Sequence, residues 1–418
     1  MLVENRFPVD ARVRNEAFTL ARNGFQVRVL ALQGRGEKWR ETVNGVTVYR
    51  IPRLTLFKKL ENTNRSRLRA LLNTLEIIVG YVSEYCYFTA ACLLWSFYVA
   101  MRDGFDIIHA HNPPDTLFIV GAAHKLFGKK FVFDHHDLSP ELYRSRYPSA
   151  TSTAVPRGLL FLEKLSLKLA DIVIVTNESY RAIDIQRHAV RPAKVFVVRN
   201  GPDLARVRPV ERDARLLTMG RTIFGYVGAM NPQDGVDHLL GALHHLTHDL
   251  KRRDFYCVLI GDGDSREALE ARALELNLRD HVMFTGFIPD DDMMRYLSTA
   301  HICLDPNPSS PLNDVSTWIK VMEYMALAKP IVSFALKETR VSAGEAAVYV
   351  TPNDEREFAE AIARLMDDPA ERARMGECGQ IRVKTELNWS VTSRNLLSAY
   401  RSLFLEAAYP STSHTKCS

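Results

Sequence analysis

Cysteine is scarce in this chain of 418 residues, and what there is lacks pattern. The six are Cys86, Cys92, Cys257, Cys303, Cys378 and Cys417. No two form a C-x-x-C pair and their spacing matches no zinc site, which excludes a disulfide framework and a zinc-knuckle fold. Most stand in apolar surroundings and are expected as buried, reduced thiols of a cytoplasmic protein. Charge of one sign is also lacking. There are 54 basic against 49 acidic residues, net +5, too mild over this length to point to nucleic acid. The mean hydropathy of −0.13 excludes a polytopic membrane protein. The opening MLVENRFPVD has neither a basic n-region nor an apolar core, so no signal peptide is expected. With 46% hydrophobic and 25% charged residues, the chain is an ordinary globular one of about two to three domains.

Two local features stand out. Arg53, Lys58, Lys59, Arg65, Arg67 and Arg69 lie close together against one acid, Glu61. Then Tyr85 to Met101 (YCYFTAACLLWSFYVAM) runs 17 residues without a charge. A membrane span needs about 20 apolar residues, so this run is at the lower limit. It reads as a span, as a wholly buried helix or as a helix partly exposed at a bilayer surface. The aromatic content and basic flank favour the last.

Strand and helix signals alternate almost throughout. Asp10 is placed to cap a helix carrying Val13, Ala17, Leu20 and Ala21, ended by Gly24. Strand-like runs follow at 25–30, 106–110, 130–134, 171–176 and 195–199. The charged stretch 203–221 reads as a linker. A second series has strands at 224–228, 255–260, 281–284, 302–304 and 330–334, with Val236, Leu239, Leu240, Leu243 and Leu246 striping a helix. This is the βαβ pattern of two doubly wound parallel sheets. The expected organisation is a first domain over 1–205, a second over 206–388, a helix over 389–408 crossing back to the first, and a disordered tail over 409–418. A cleft between the halves is expected, with ligands beyond the carboxyl ends of the strands.

The segment 305–332 (DPNPSSPLNDVSTWIKVMEYMALAKPIV) carries the strongest constellation. A Pro-, Ser- and Asn-rich loop leads into a helix predicted over 316–327. Ser316 and Thr317 fall at its start, where free N–H groups favour phosphate. Lys320 is one turn in, and Glu323 one turn further suits a ribose diol. The plain alternative is a capped helix with a surface Lys–Glu pair.

Several segments together resemble the retaining family 4 glycosyltransferases. They are Lys320-Val-Met-Glu-Tyr-Met-Ala-Leu-Ala-Lys-Pro-Ile-Val332, Val198-Arg-Asn-Gly-Pro-Asp203, Gly225-Tyr-Val-Gly228, Gln233-Asp-Gly-Val-Asp237, Leu259-Ile-Gly-Asp-Gly263 and Phe284-Thr-Gly-Phe287. In the first half Phe7-Pro-Val-Asp-Ala-Arg-Val13, Asp106-Ile-Ile-His-Ala-His111 and His136-Asp-Leu-Ser-Pro-Glu141 also fit. The resemblance covers nearly the whole chain and implies the two-Rossmann GT-B fold. It also implies metal-independent transfer from a nucleoside diphosphate sugar, UDP-linked in preference to GDP-linked; that sugar is a substrate, and no cofactor is expected. Chains of this family usually carry a few residues more before the first strand. Here that strand opens at Met1, so either the start is internal or the strand is short.

Carried over by position, Glu323 matches the second glutamate of the family's E-x7-E motif, which holds the ribose hydroxyls. The first would stand at Val315, where the neighbouring Asp314 is the available substitute. The family's diphosphate arginine and lysine fall on Ala229 and Asp234. Leaving-group charge needs preorganised positive charge or N–H dipoles. Lys320, the N–H groups around Ser316 and Thr317, and Arg199 are the replacements on offer, with Lys320 best placed. His136 matches the family's histidine facing the donor sugar. Gly228 and the Gly286-Phe287-Ile288 loop are expected at the nucleotide, with Gly225, Gly261 and Gly263 also permitting close backbone approach. His135 with His136 could equally be a satisfied strand-end pair, with Asp137 and Glu141 binding acceptor or capping a helix. The His109-Ala-His111 pair lacks obvious partner ligands in the sequence, so metal is rejected. Asp262-Gly-Asp264 reads as a strand-end turn.

The resemblance implies front-face transfer with retention, the leaving phosphate assisting deprotonation of the acceptor. The basic and aromatic stretches suggest a lipid-linked saccharide acceptor at the inner face of a membrane, with the protein peripheral to it, as in cell-surface polysaccharide synthesis. The competing classes are a sugar-nucleotide epimerase and a non-catalytic transferase-like partner subunit.

Overall fold

The computed structural model describes residues 1–54, 67–147 and 153–408 (for 67–78, 81 and 405–408, the backbone alone). Lys58, Lys59 and Arg65 of the basic stretch and the tail expected from Pro410 lie outside the described residues. So do the side chains of Arg67 and Arg69.

The chain divides into two compact units. The first comprises the described residues of Met1–Pro140, Ser152–Val198 and Ser393–Ser418; the second, those of Glu141–Thr151 and Arg199–Thr392.

The first unit is built on eight strands: β1 (Leu2–Arg6), β2 (Arg28–Leu32), β3 (Arg40–Val43), β4 (Val46–Ile51), β5 (Ile107–His111), β6 (Lys130–His135), β7 (Ile172–Val175) and β8 (Val195–Val197). Their order in the sheet is β3-β4-β2-β1-β5-β6-β7-β8, parallel except for β3 against β4. β7 is an uninterrupted apolar run with all four residues buried, as expected of a strand covered on both faces, whereas β5 and β6 carry the buried His109, His111 and Asp134. The first helix (Ala11–Arg22) starts where predicted, with the Asp10 carboxylate accepting from the Val13 N–H at 3.0 Å. The last helix (Trp389–Ala408) buries Leu396, Ala399, Tyr400 and Leu403 within this unit.

The apolar run 85–101 is the second half of one helix, Arg67–Arg102. It is neither a span nor wholly buried: among the described residues no helix is long and apolar enough to cross a membrane. Phe88, Cys92, Ser96 and Val99 face inward, while Val79, Val82, Leu94 and Met101 are exposed. Cys86 is exposed too, unlike the buried Cys92, Cys257 and Cys303.

The second unit has six parallel strands: β9 (Thr222–Val227), β10 (Phe255–Ile260), β11 (Val282–Gly286), β12 (Ile302–Asp305), β13 (Ile331–Phe334) and β14 (Ala347–Val350). The order is β11-β10-β9-β12-β13-β14. The reversal between β9 and β12 is the switch point at which such sheets open a crevice. The helix Val236–His248 buries Val236, Leu239, Leu240, Leu243 and Leu246 as the stripe predicts. The stretch 203–221 is more than a linker. Val207 and Leu216 join the core beside Ile223 and Met325, and Asp213 caps a short helix, Ala214–Leu217.

Candidate functional site

The second unit presents bare backbone at three adjacent strand ends. Gly228 follows β9, Gly261 follows β10 and Gly286 closes β11. The Gly228 N–H donates to the Ile260 carbonyl at 3.1 Å, and the Gly261 N–H to the Gly286 carbonyl at 3.1 Å. A Cβ on Gly261 would lie 1.9 Å from the Gly228 oxygen, and its φ of +134° suits glycine alone. Phe287, next in line, is 88% exposed. Gly225 and Gly263 differ from expectation. Gly225 admits the Ala300 and Leu297 side chains, and Gly263 admits the backbone of Met230, so both serve packing. Asp262-Gly-Asp264 is a turn, as read: Asp262 accepts from the Gly263 N–H, and the Asp264 N–H donates to Asn231.

The loop after β12 clamps the turn before the helix Val236–His248. Asn313 Nδ2 and Asn307 Nδ2 both donate to the Gln233 carbonyl, at 2.8 and 3.1 Å. Asp234 closes a capping box with Asn231, so the residue standing where the family has a diphosphate lysine shapes a turn. The helix begins later than predicted, at Ile319, and runs to Ala326. Ser316 does not cap it: its hydroxyl turns back to the Leu312 carbonyl at 2.7 Å. Thr317 Oγ1 lies 3.5 Å from Glu338 Oε2. Asp314 sits in a 3-10 turn (Asn313–Val315) and accepts from the Ser309 hydroxyl at 3.2 Å.

Lys320 is buried, its ammonium 3.2 Å from Asp305 Oδ1 and over the rings of Tyr226 and Trp318 at 4.8 and 5.4 Å. Its charge also acts on Asp234, whose carboxyl burial pushes above the usual range while Lys320 pulls it back. Neither the ammonium nor the facing Asp305 oxygen makes a hydrogen bond of proper geometry. Trp318 Nε1 and Arg199 Nη1 are likewise unmatched. Lys320, Trp318 and Arg199 are among several donors of this unit without a matched acceptor, a costly condition for buried groups and one that acceptor oxygens of a ligand would relieve.

Glu323 accepts from Arg206 Nη2 at 2.7 Å, and Arg206 also reaches Asp290 at 2.9 Å. Burial raises the Glu323 carboxyl; the Arg206 charge opposes that. Sequence reasoning missed Arg206, which lay in the supposed linker. It also missed Glu338, which pairs with Arg199 at 3.2 Å, and Asp305.

In the first unit His135 and His136 part company. His135 is fully buried and half satisfied, with Nδ1 2.9 Å from Asp184 and Nε2 3.6 Å from Glu163, beyond hydrogen-bond reach. His136 is partly exposed at the end of β6, its Nδ1 3.3 Å from Asp134 Oδ2. Burial lowers the His136 pKa, but the Asp134 charge and hydrogen bond outweigh it, and the imidazole is raised above its usual value. The backbone N–H groups of His136 and Asp137 both donate to Asn112 Oδ1, at 2.9 and 3.1 Å, which fixes the loop. His136 belongs to a different unit from Lys320 and Glu323. His109 and His111, for which the sequence supplies no obvious partner ligands, have Glu16 and Asp134 beside them, ligand-type atoms all within 4.8 Å of one another. Glu16 comes from a distant helix, and no local spacing announces it.

Two family models match end to end: glycosyl transferase 4-like domain over residues 9–201 and glycosyl transferases group 1 over 221–368. Alpha-D-kanosaminyltransferase of Streptomyces kanamyceticus is 29% identical over 44% of this chain and 47% of its own, so the match spans about half of that relative. Sucrose-phosphate synthase of Thermosynechococcus elongatus superposes with TM-score 0.70 at 23% identity, over 95% of this chain and 93% of that one. HepE of Anabaena, solved in complex with UDP, superposes with TM-score 0.67 at 14% identity over 96% and 99%. These likenesses show the fold. With its two parallel-sheet units and family matches running through both, the chain belongs to the glycosyltransferases of GT-B fold.

Proposed function

We propose that this glycosyltransferase moves a sugar from a UDP-linked donor, with retention, to a lipid-linked saccharide at the cytoplasmic face of a membrane, in the building of a cell-surface polysaccharide. The observation that carries the donor half is the buried Lys320 ammonium over the Trp318 ring, without a well-placed acceptor, and with Trp318 Nε1 unmatched beside it. A diphosphate supplies the oxygens they lack. Gly228, Gly261 and Gly286 let the strand ends pack closely, Gly261 against the Gly228 carbonyl, and the exposed Phe287 beside them is the group for the nucleobase. Glu323, held by Arg206, is the group for the ribose hydroxyls. Asp314, Ser316 and Thr317 shape the loop before the helix, the Ser316 N–H being given to the Asn313 carbonyl at 3.2 Å. UDP in the HepE structure supports the choice of nucleotide.

In this reading bond breaking leaves negative charge on the diphosphate, and Lys320 stabilises it in place. His136, kept more basic by Asp134, donates a hydrogen bond to the transferred sugar. The acceptor hydroxyl attacks from the leaving-group side and loses its proton to the departing phosphate. No cofactor takes part. The acceptor half rests on the exposed face of the helix Arg67–Arg102. A transferase-like partner subunit without turnover is the second reading, favoured by Ala229 and by Asp234 and Asp305 flanking the buried Lys320.

A panel of nucleotide sugars tests both. UDP and one UDP-sugar should raise the unfolding temperature with the logarithm of ligand concentration above Kd, and that sugar should pass to a polyprenyl-diphosphate saccharide. Protection without turnover on any acceptor would favour the subunit; no protection by any nucleotide would end the donor assignment.

A further inference from the structure

We propose that Glu16, His109 and His111 bind a divalent metal ion of the zinc class inside the first unit, with Asp134 and Tyr400 orienting the two imidazoles. The assignment stands apart from the transfer reaction and does not depend on it.

His109 and His111 alternate along β5 and so project from the same face of the sheet. Their rings lie 4.2 Å apart. The helix Ala11–Arg22 brings Glu16 opposite them. Its Oε2 is 3.7 Å from His109 Nε2 and 4.0 Å from His111 Nε2. These are too long for hydrogen bonds. Accordingly both Nε2 atoms and both Glu16 oxygens have no hydrogen-bond partner, although all three side chains are 1% exposed or less. Three buried polar groups thus face one common gap. Zinc bonds of about 2.0–2.1 Å put neighbouring ligand atoms about 3.3–3.5 Å apart in a tetrahedral site. The two glutamate–histidine spans exceed that by less than about 1 Å.

The outer shell is that of a metal site. His111 Nδ1 is 2.8 Å from Asp134 Oδ2, and His109 Nδ1 is 2.7 Å from the Tyr400 hydroxyl. The Asp134 carboxylate accepts from His111 Nδ1–H and so leaves a bare Nε2 lone pair, as the Tyr400 hydroxyl does for His109 when it accepts from Nδ1–H. Arg12 does not occupy the gap. It approaches Glu16 from the other oxygen, Oε1, at 3.3 Å, and spends Nε and Nη2 on Asp134 at 2.7 Å each. One guanidinium, that of Arg12, thus stands against two carboxylates, Asp134 and Glu16. Two imidazoles and a carboxylate suit zinc, cobalt or ferrous iron over magnesium or calcium. His109 and Tyr400 also line a cavity of about 580 Å³, which provides an entry path.

The test uses the full chain, expressed without a histidine tag. After dialysis against zinc and then metal-free buffer, elemental analysis should find about one equivalent per chain, and cobalt should give the visible bands of a low-coordinate nitrogen–oxygen site. Glu16→Gln should lose the metal and the thermal shift zinc gives the wild type. Tyr400→Phe, which keeps the ring in its packing, should weaken binding about 10–100-fold, as removal of an orienting group does. Because Glu16→Gln can fail to fold, the cobalt spectrum of the wild type and of Tyr400→Phe decides independently. Wild type that retains no metal after loading, the gap being filled by a water, overturns the proposal. So does equal retention by folded Glu16→Gln or an affinity unchanged in Tyr400→Phe.

Discussion

Lys320 is held by what surrounds it. Two carboxylates, Asp305 and Asp234, and two aromatic rings make a place where a cation is stable when buried. Its hydrogens nonetheless find no acceptor of good geometry. Replacing it with methionine keeps the volume and removes the charge. Lys320→Met is expected to lower kcat about 100- to 1,000-fold, the loss usual for one stabilising group at a developing anion, and Lys320→Arg to recover part of it. Steady-state turnover of the UDP-sugar measures both, and wild-type kcat in Lys320→Met would remove Lys320 from the site. At this scale the sequence showed Lys320, Glu323 and His136, because they sit in motifs with fixed spacing. It could not show Arg206, Glu338 or Glu16. Each meets its partner across the fold: Arg206 reaches Glu323 over 117 positions, and Arg199 reaches Glu338 over 139. No local periodicity encodes such pairs.

Elements were more legible than residues, for a physical reason. A strand buried on both faces must be apolar throughout, so β7, β10 and β13 announce themselves as runs. Helix starts are a weaker signal. Ser316 and Thr317 look like caps, yet the Ser316 hydroxyl is used inside its own loop and the helix waits until Ile319. The stretch 203–221 misled through its charge, since two apolar anchors, Val207 and Leu216, suffice to bind it to the core. Glycines at strand ends are the elements' most testable feature. Gly261→Ala forces a Cβ onto the Gly228 carbonyl at a φ that alanine resists. The variant should lose about 2–4 kcal/mol by urea unfolding and UDP protection with it. Gly158→Ala, inside the helix Ala154–Leu169 with open space around it, should gain about 0.5–1 kcal/mol. Equal stability of the two variants would show that the rim is not crowded.

The whole molecule carries a net charge of only +5, and that figure hides where a surface could attract a membrane. The helix Arg67–Arg102 turns Val79, Val82, Cys86, Leu94, Tyr98 and Met101 outward, at intervals of three, four or multiples of a turn, so they form one stripe. Leu94 is 72% and Met101 82% exposed. Arg102 lies at the end of the stripe, donating to the Tyr98 hydroxyl at 2.9 Å. An apolar stripe with a cation at its edge fits an anionic bilayer surface better than a protein core. Each basic side chain near such a surface contributes about 1 kcal/mol at low ionic strength, lost as salt shortens the Debye length. Full-length protein is therefore expected to float with vesicles containing anionic lipid at 50 mM salt and to detach progressively toward about 0.5 M, where that length falls to roughly 4 Å. The double variant Leu94→Asp, Met101→Asp should bind at least about tenfold less while UDP still protects it from heat, since the second unit is untouched. Wild type that ignores these vesicles at low salt would remove the membrane surface from the acceptor half of the function and leave the donor half standing.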